Sequence, residues 1–169
     1  ADQAEAAVEN LADLFRNNLA DASTHITLAE ELALSHRYLD IEKLRLGSRL
    51  NLRWNIEELP TDAYVPRLIL QPLLENAIYH GIEPMTNGGT IGVDGHVYEN
   101  DIYISISNPL AHEYDSEQRQ GNQIAQDNVR QRLAAIYGEA GKLKVQEGKE
   151  DYIITIIFPY QKNTMDKKL

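Results

Sequence analysis

No cysteine occurs in the 169 residues, which excludes disulfides, thiolate catalysis and cysteine-ligated zinc, and suits a reducing cytosol. Long hydrophobic runs are missing too: no window approaches the roughly 18 to 20 consecutive apolar residues of a membrane-spanning helix. The opening Ala1-Asp2-Gln3-Ala4-Glu5 has neither the basic nor the apolar region of a secretory signal, so none is expected there. Basic residues are scarce. Sixteen Lys and Arg against 26 Asp and Glu give a net charge of −10, which repels nucleic acid phosphates and disfavours DNA or RNA as partners. The remainder is that of an ordinary globular protein, with 43% hydrophobic and 25% charged residues. The length suits one domain with a full core, or a smaller domain plus a helical appendage.

The front of the chain reads as helical. Ala7, Val8, Leu11, Leu14, Phe15 and Leu19 recur at three- and four-residue steps, which predicts an amphipathic helix from Ala4 to Leu19. Asp21-Ala22-Ser23-Thr24 breaks it. Thr27 followed by Glu30 has the spacing of a capping box, opening a second helix to about Leu46 with Gly47 as its stop. Its apolar face holds Leu28, Leu32, Ser35, Leu39 and Leu46, with Glu30, Arg37, Glu42 and Lys43 opposite. Two readings stay open: a hairpin packed on the main domain, or a helix pairing with a second copy in a dimeric bundle.

After Gly47 the period changes to two. Leu50, Leu52, Trp54 and Ile56 alternate as in a strand, and Glu57 to Asp62 form a turn. Pro66 is expected in the first turn of a helix running to about His80. Strand patterns follow at Thr90 to Tyr98 and Asp101 to Ser107, joined at Glu99-Asn100. Pro109 to Gln123 has few apolar anchors and reads as a loop. A helix is expected from about Gln126 to Tyr137, ending at Gly138. A second hairpin pairs Lys142 to Glu147 with Asp151 to Phe158, and Gln161 to Leu169 form a polar tail. This order predicts an α/β two-layer sandwich, with a mixed, mostly antiparallel sheet covered by helices on one face.

The most informative stretch is Leu68-Ile69-Leu70-Gln71-Pro72-Leu73-Leu74-Glu75-Asn76-Ala77-Ile78-Tyr79-His80-Gly81. An Asn on an apolar helix is, taken alone, most often a locally satisfied polar residue. The whole string resembles the Asn-containing box of the GHKL ATPase superfamily, and in particular that of LytS/YehU-type sensor histidine kinases. The resemblance implies a Bergerat-type fold and ATP with Mg²⁺ as cofactors. The Asn76 amide oxygen would be the protein ligand of the magnesium, a cation that takes hard oxygens and keeps several waters.

Other motifs of that family are present in altered form. Where the family ends its third strand in Asp-x-Gly-x-Gly, this chain has Asn108-Pro109-Leu110. Asn108 is either a plain turn residue or a neutral acceptor for the adenine amino group in place of the Asp. The second glycine box corresponds to Gly121-Asn122-Gln123-Ile124-Ala125-Gln126-Asp127-Asn128-Val129-Arg130-Gln131-Arg132-Leu133, with Gln123 and Ala125 where the family has glycine. Those glycines let backbone amides approach phosphate closely. Tyr79 stands where related kinases often carry Lys. His80 is either a phosphate donor or a locally satisfied helix histidine. The resemblance thus gathers the nucleotide at Asn76, Tyr79, His80, Asn108, Gly121, Asn122, Gln123, Asn128 and Arg132, with magnesium on Asn76.

The family's phosphoacceptor motif, Asn-Pro-His-Phe-Leu-Phe-Asn, does not occur; neither His25 nor His36 has those surroundings. The resemblance therefore implies residues 1–47 as the remnant of a dimerisation and phosphoacceptor region, 48–160 as a GHKL ATP-binding domain, and 161–169 as a tail. It further implies a protein histidine kinase acting on an upstream histidine, homodimerisation, and a cytoplasmic placement within an inner-membrane sensor. The Ser107-Asn108-Pro109-Leu110 turn and the altered glycine box are most similar to the AlgZ (FimS) type of sensor, which implies a LytTR-type response regulator as partner. The alternative is a degenerate module of the same fold that binds ATP weakly or not at all and acts as a dimeric scaffold or phosphatase for the regulator.

Overall fold

The computed structural model describes residues 25–110 and 116–162. The first amphipathic segment and the end of the polar tail lie outside the described residues. A short strand, β1 (His25–Thr27), leads directly into helix α1 (Leu28–Leu46). The expected capping box is formed: the Glu30 amide donates to Thr27 Oγ1 at 3.2 Å and the Thr27 amide donates to Glu30 Oε2 at 2.8 Å. Gly47 ends the helix at φ 59°, the left-handed region in which a glycine has no Cβ to strain. Glu42, expected on the solvent face, is instead buried and accepts from Arg45 at 2.6 Å.

The main sheet consists of β2 (Leu50–Asn55), β4 (Gly89–Tyr98), β5 (Asp101–Pro109), β6 (Lys142–Glu147) and β7 (Asp151–Pro159). Its order is β2-β4-β5-β7-β6, parallel between β2 and β4 and antiparallel elsewhere. A strand β3 (Tyr64–Pro66), absent from the sequence expectation, pairs with β1 in a separate two-stranded sheet. Pro66 therefore closes a strand instead of opening a helix. Helix α2 (Gln71–Ala77) starts five residues later, with Pro72 in its first turn, where the missing N–H has no partner to lose. It runs on through a wider turn, Ile78–Ile82, marked by a five-residue bond from the Glu83 amide to the Ile78 carbonyl at 3.0 Å.

Two boundaries differ near the site. β5 does not stop at Ser107: Asn108 and Pro109 stay in register with Tyr152 and Asp151 of β7. Helix α3 (Ser116–Tyr137) starts about ten residues before the expected Gln126, so Gly121 to Ala125 are helix and not loop. The inward side chains of β7, led by Tyr152, Ile154, Ile156 and Phe158, and of β5, Ile102, Ile104 and Ile106, form the floor of the core. Leu73, Leu74, Ala77 and Ile78 of α2 close it, with Val129 and Leu133 of α3. Leu28, Leu32, Tyr38, Leu39 and Leu46 of α1 belong to the same cluster, so this helix shares its core with the sheet. The layered arrangement is the expected two-layer sandwich with a mostly antiparallel sheet. Among the described residues no helix is long and apolar enough to cross a membrane.

The segment between β3 and α2 is held from both sides. Leu68 adopts φ 56°, uncommon for a branched side chain and stable only where surroundings enforce it. Glu31 of α1, buried, accepts from the Leu68 amide at 2.9 Å and the Leu70 amide at 3.0 Å. From the other side Arg132 of α3 donates to the carbonyls of Leu68 at 2.9 Å and Arg67 at 2.5 Å. Burial pushes the Glu31 carboxyl up, and the amides of Leu70, Leu68 and Ile69 together with the Arg132 charge pull it back. Glu31→Gln, which turns one acceptor into a donor against a buried N–H, is expected to cost about 2 kcal/mol. A fall of the urea midpoint at unchanged slope would show this; an unchanged midpoint would remove Glu31 from the role.

Candidate functional site

Asn76 lies in α2, and His80 in the wider turn that continues it. Their environments differ. Asn76 is half-buried and its Nδ2 donates to Asn122 Oδ1 of α3 at 3.2 Å. The same Asn122 oxygen accepts from Gln126 Nε2 at 3.0 Å, and Gln126 Nε2 also donates to the Tyr152 hydroxyl at 2.5 Å. Asn122, Gln126 and Tyr152 are all buried. Burial raises the Tyr152 phenol, opposed by hydrogen bonds from Gln126 and Asn122. A polar line thus runs from α2 through α3 to the end of β7.

Asn108 sits beside this line, as the cross-strand partner of Tyr152. It follows Ile102, Ile104 and Ile106 on the inward face and is buried. Its Nδ2 donates to the Pro109 carbonyl at 2.7 Å, leaving Oδ1 as the acceptor. Gly81 covers it: a Cβ on Gly81 would lie 2.5 Å from Asn108 Nδ2 and 2.7 Å from Asn108 Cβ. The glycine that ends the Asn-bearing stretch is therefore a packing requirement, because no side chain fits between that backbone and β5. His80 is buried, in edge contact with the Tyr79 ring at 4.9 Å, and burial pushes its pKa down. Tyr79 faces outward, 55% exposed.

Asn76 is bonded to Asn122, Gln126 joins Asn122 to Tyr152, and Asn108 stands opposite Tyr152 on the neighbouring strand. Asn122 and Gln123 also line a cleft of 290 Å³ with Gln126, Arg130, Glu147 and Tyr152. Gly121 is exposed in the helix, and among the described residues a Cβ there would meet nothing within 4 Å. Asn128 is exposed on α3. Arg132 lies ten residues beyond Asn122, about 15 Å of helix rise, and is engaged with the Arg67 and Leu68 carbonyls. Neither Asn128 nor Arg132 is brought to the carboxamide cluster. Gln126 and Tyr152 are members the sequence reading did not single out. The one signal for them was Tyr152 at the head of an otherwise apolar alternating strand, and Gln126 one helical turn after Asn122.

The residues fit a nucleotide with a divalent cation. Among the described residues Asn76 Oδ1 receives no hydrogen bond, so a hard oxygen is open to a cation. Among the described residues no group of three His, Asp or Glu could hold a metal alone, so a cation at Asn76 would complete its shell with phosphate oxygens and water. Asn108 Oδ1 suits an N–H donor of a base.

A family model described as histidine kinase matches residues 1–50. The sensor histidine kinase YesM of Bacillus subtilis is 28% identical over 145 residues, 85% of this chain and 25% of that protein. The sensor protein LytS of Oceanobacillus iheyensis is 27% identical over 174 residues, 95% of this chain and 30% of that one. The chain thus spans between 25% and 30% of the length of these relatives. Among solved structures, the nucleotide-free catalytic domain of histidine kinase ThkA superposes with a TM-score of 0.57 at 15% identity, covering 83% of this chain and 98% of that one. ThkA in complex with the response regulator TrrA gives 0.55 at 14% identity, over 93% of this chain and 49% of that one. The fold is that of a histidine kinase catalytic domain. In sequence, the chain is similar to the sensor histidine kinases LytS and YesM over most of its length.

Two outcomes test this geometry. Gly81→Ala is expected to cost about 1 to 3 kcal/mol by overpacking against Asn108, and a neutral result in urea unfolding would contradict the contact. Because burial lowers the His80 pKa from its ordinary 6.5, its stabilising contribution is present above that value and is lost as pH falls through the folded pKa. Between about pH 7.5 and about pH 5.5 the wild type should lose more unfolding free energy than His80→Gln; equal losses would refute it.

Proposed function

We propose that this chain is the ATP-binding catalytic portion of a sensor histidine kinase. In this reading it holds Mg-ATP so that the γ-phosphoryl group passes to a histidine of an upstream helix. The new N–P bond forms as the bond to the ADP oxygen breaks. The supporting observation is that, among the described residues, Asn76 Oδ1 receives no hydrogen bond while its Nδ2 is held by Asn122 of α3. A bound magnesium would supply charge neutralisation for the phosphates. The chain's own part is positioning: Asn76 offers one oxygen to the cation, Asn108 accepts from the adenine amino group, and Gly81 lets α2 lie close enough to β5 for both to face one ligand. Tyr79, His80, Gly121 and Gln123 would complete the surroundings.

The regulator it serves is, on resemblance, of the LytTR type, since the Ser107-Asn108-Pro109-Leu110 turn and the altered glycine box are similar to those of AlgZ-type sensors. The complex of ThkA with its response regulator supports a partner of that general kind. The whole protein, of which this chain spans a part, would be a membrane-anchored homodimer with this portion in the cytoplasm, like other LytS-type sensors.

One observation favours the degenerate module as a second reading. Gly121 to Ala125 lie inside α3, where backbone amides are already bonded along the helix and are not offered to phosphate. Calorimetry with ATP and ADP, with and without magnesium, separates the two. The kinase reading expects micromolar, magnesium-dependent affinity, about −8 kcal/mol, abolished in Asn76→Ala with the fold intact. Undiminished binding in that variant would refute the role of Asn76. No heat up to millimolar nucleotide would favour the degenerate module.

A further inference from the structure

Gln126 stands one helical turn beyond Asn122 and is only 6% exposed. It uses Nε2 twice, toward Asn122 Oδ1 at 3.0 Å and the Tyr152 hydroxyl at 2.5 Å. A carboxamide has a donor on one side and an acceptor on the other, so neighbouring carboxamides in one network set each other's direction. With Gln126 donating, the Asn122 oxygen faces both Gln126 and Asn76. Asn76 must then present its nitrogen to Asn122, and its own oxygen is left open. With the direction reversed, the Asn122 nitrogen would meet Asn76, and the Asn76 oxygen would be taken up as an acceptor.

We infer that Gln126, anchored on Tyr152, is a positioning residue that sets the direction of the Asn76 carboxamide and so reserves its carbonyl oxygen for a cation. The inference rests on the nucleotide-binding reading above. Gln126 acts through Asn122 and needs no contact with the cation itself. Tyr152 supplies the anchor because its oxygen lies in the core at a fixed register opposite Asn108.

Gln126→Glu tests this sharply. The carboxylate is nearly isosteric but only accepts, so Asn122 turns its nitrogen inward and captures the Asn76 oxygen. Gln126→Leu removes both hydrogen bonds and imposes no direction. Two readouts apply to the full 169-residue chain. The first is the side-chain amide resonance of Asn76 in ligand-free protein by ¹H–¹⁵N NMR, where the wild type shows one hydrogen-bonded amide proton and Gln126→Glu loses it. The second is the gain in ADP affinity on adding magnesium, which should fall about tenfold in Gln126→Glu, the cost of breaking a buried hydrogen bond, and less in Gln126→Leu. Negative charge alone would strengthen cation binding, so the expected loss has the opposite sign to a charge effect.

An equal or larger magnesium gain in a folded Gln126→Glu chain would overturn the inference, as would equal losses in the Glu and Leu variants, which mark simple helix docking. If the Glu variant does not fold, Tyr152→Phe serves instead: without the phenol oxygen Gln126 can turn, so the Asn76 signal and the magnesium gain should both drop. Unchanged values there would also overturn it. Wild-type protein without magnesium-dependent binding would overturn the functional reading itself, and this is seen before any variant is made.

Discussion

The hydrogen bonds that hold the Arg67 to Leu70 segment carry the rest of the site. Glu31 of α1 takes two of its amides and Arg132 of α3 takes two of its carbonyls, all away from solvent or half-buried. Without them the left-handed Leu68 would relax, since a leucine pays for that conformation in steric strain. The segment sets where α2 begins, and with it the height and rotation of Asn76 over β5. Because the two clamping residues come from different helices, all three helices are registered against one another at this point. A removed partner would leave buried backbone groups unpaired, which is why so short a segment can fix so much.

The second constraint is the closeness of α2 to β5. Gly81 rests on Asn108, and Asn108 continues a row of isoleucines into a polar end. A polar residue at the end of an apolar row is where a sheet can present a side chain to a ligand without opening the core. The line from Asn76 through Asn122 and Gln126 to Tyr152 then ties α2 and α3 to the same sheet end. Asn108 and Tyr152 are partners across β5 and β7, so the two polar features share one backbone register.

The altered glycine box lies within this arrangement. Glycines serve where backbone amides approach phosphate, but residues 121 to 125 are helical here and offer side chains instead. Asn122 and Gln126 meet Asn76 and Tyr152 through carboxamides, uncharged groups that add nothing to a net charge of −10.

The sequence by itself determined the elements whose causes are local. The Thr27 and Glu30 cap, the Gly47 stop, the alternation along β2, β5 and β7 and the hairpins at Glu99-Asn100 and Gly148 to Glu150 rest on neighbours a few residues apart, and each could be read off the chain. The Asn76-bearing string was equally legible, and so was the likeness to histidine kinases. The start of α3 was not, because its first turns carry few apolar residues and no periodic signal. Nor was the extension of β5 through Pro109, which depends on Asp151 and Tyr152 arriving alongside it from more than forty residues away. Pro66 looked like a helix opener because proline suits both a first turn and a strand end, and only the pairing of β1 with β3 decided between them. The roles of Glu31, Arg132, Gln126 and Tyr152 belong to tertiary structure alone, since a buried hydrogen bond between distant residues leaves no period or spacing in the sequence.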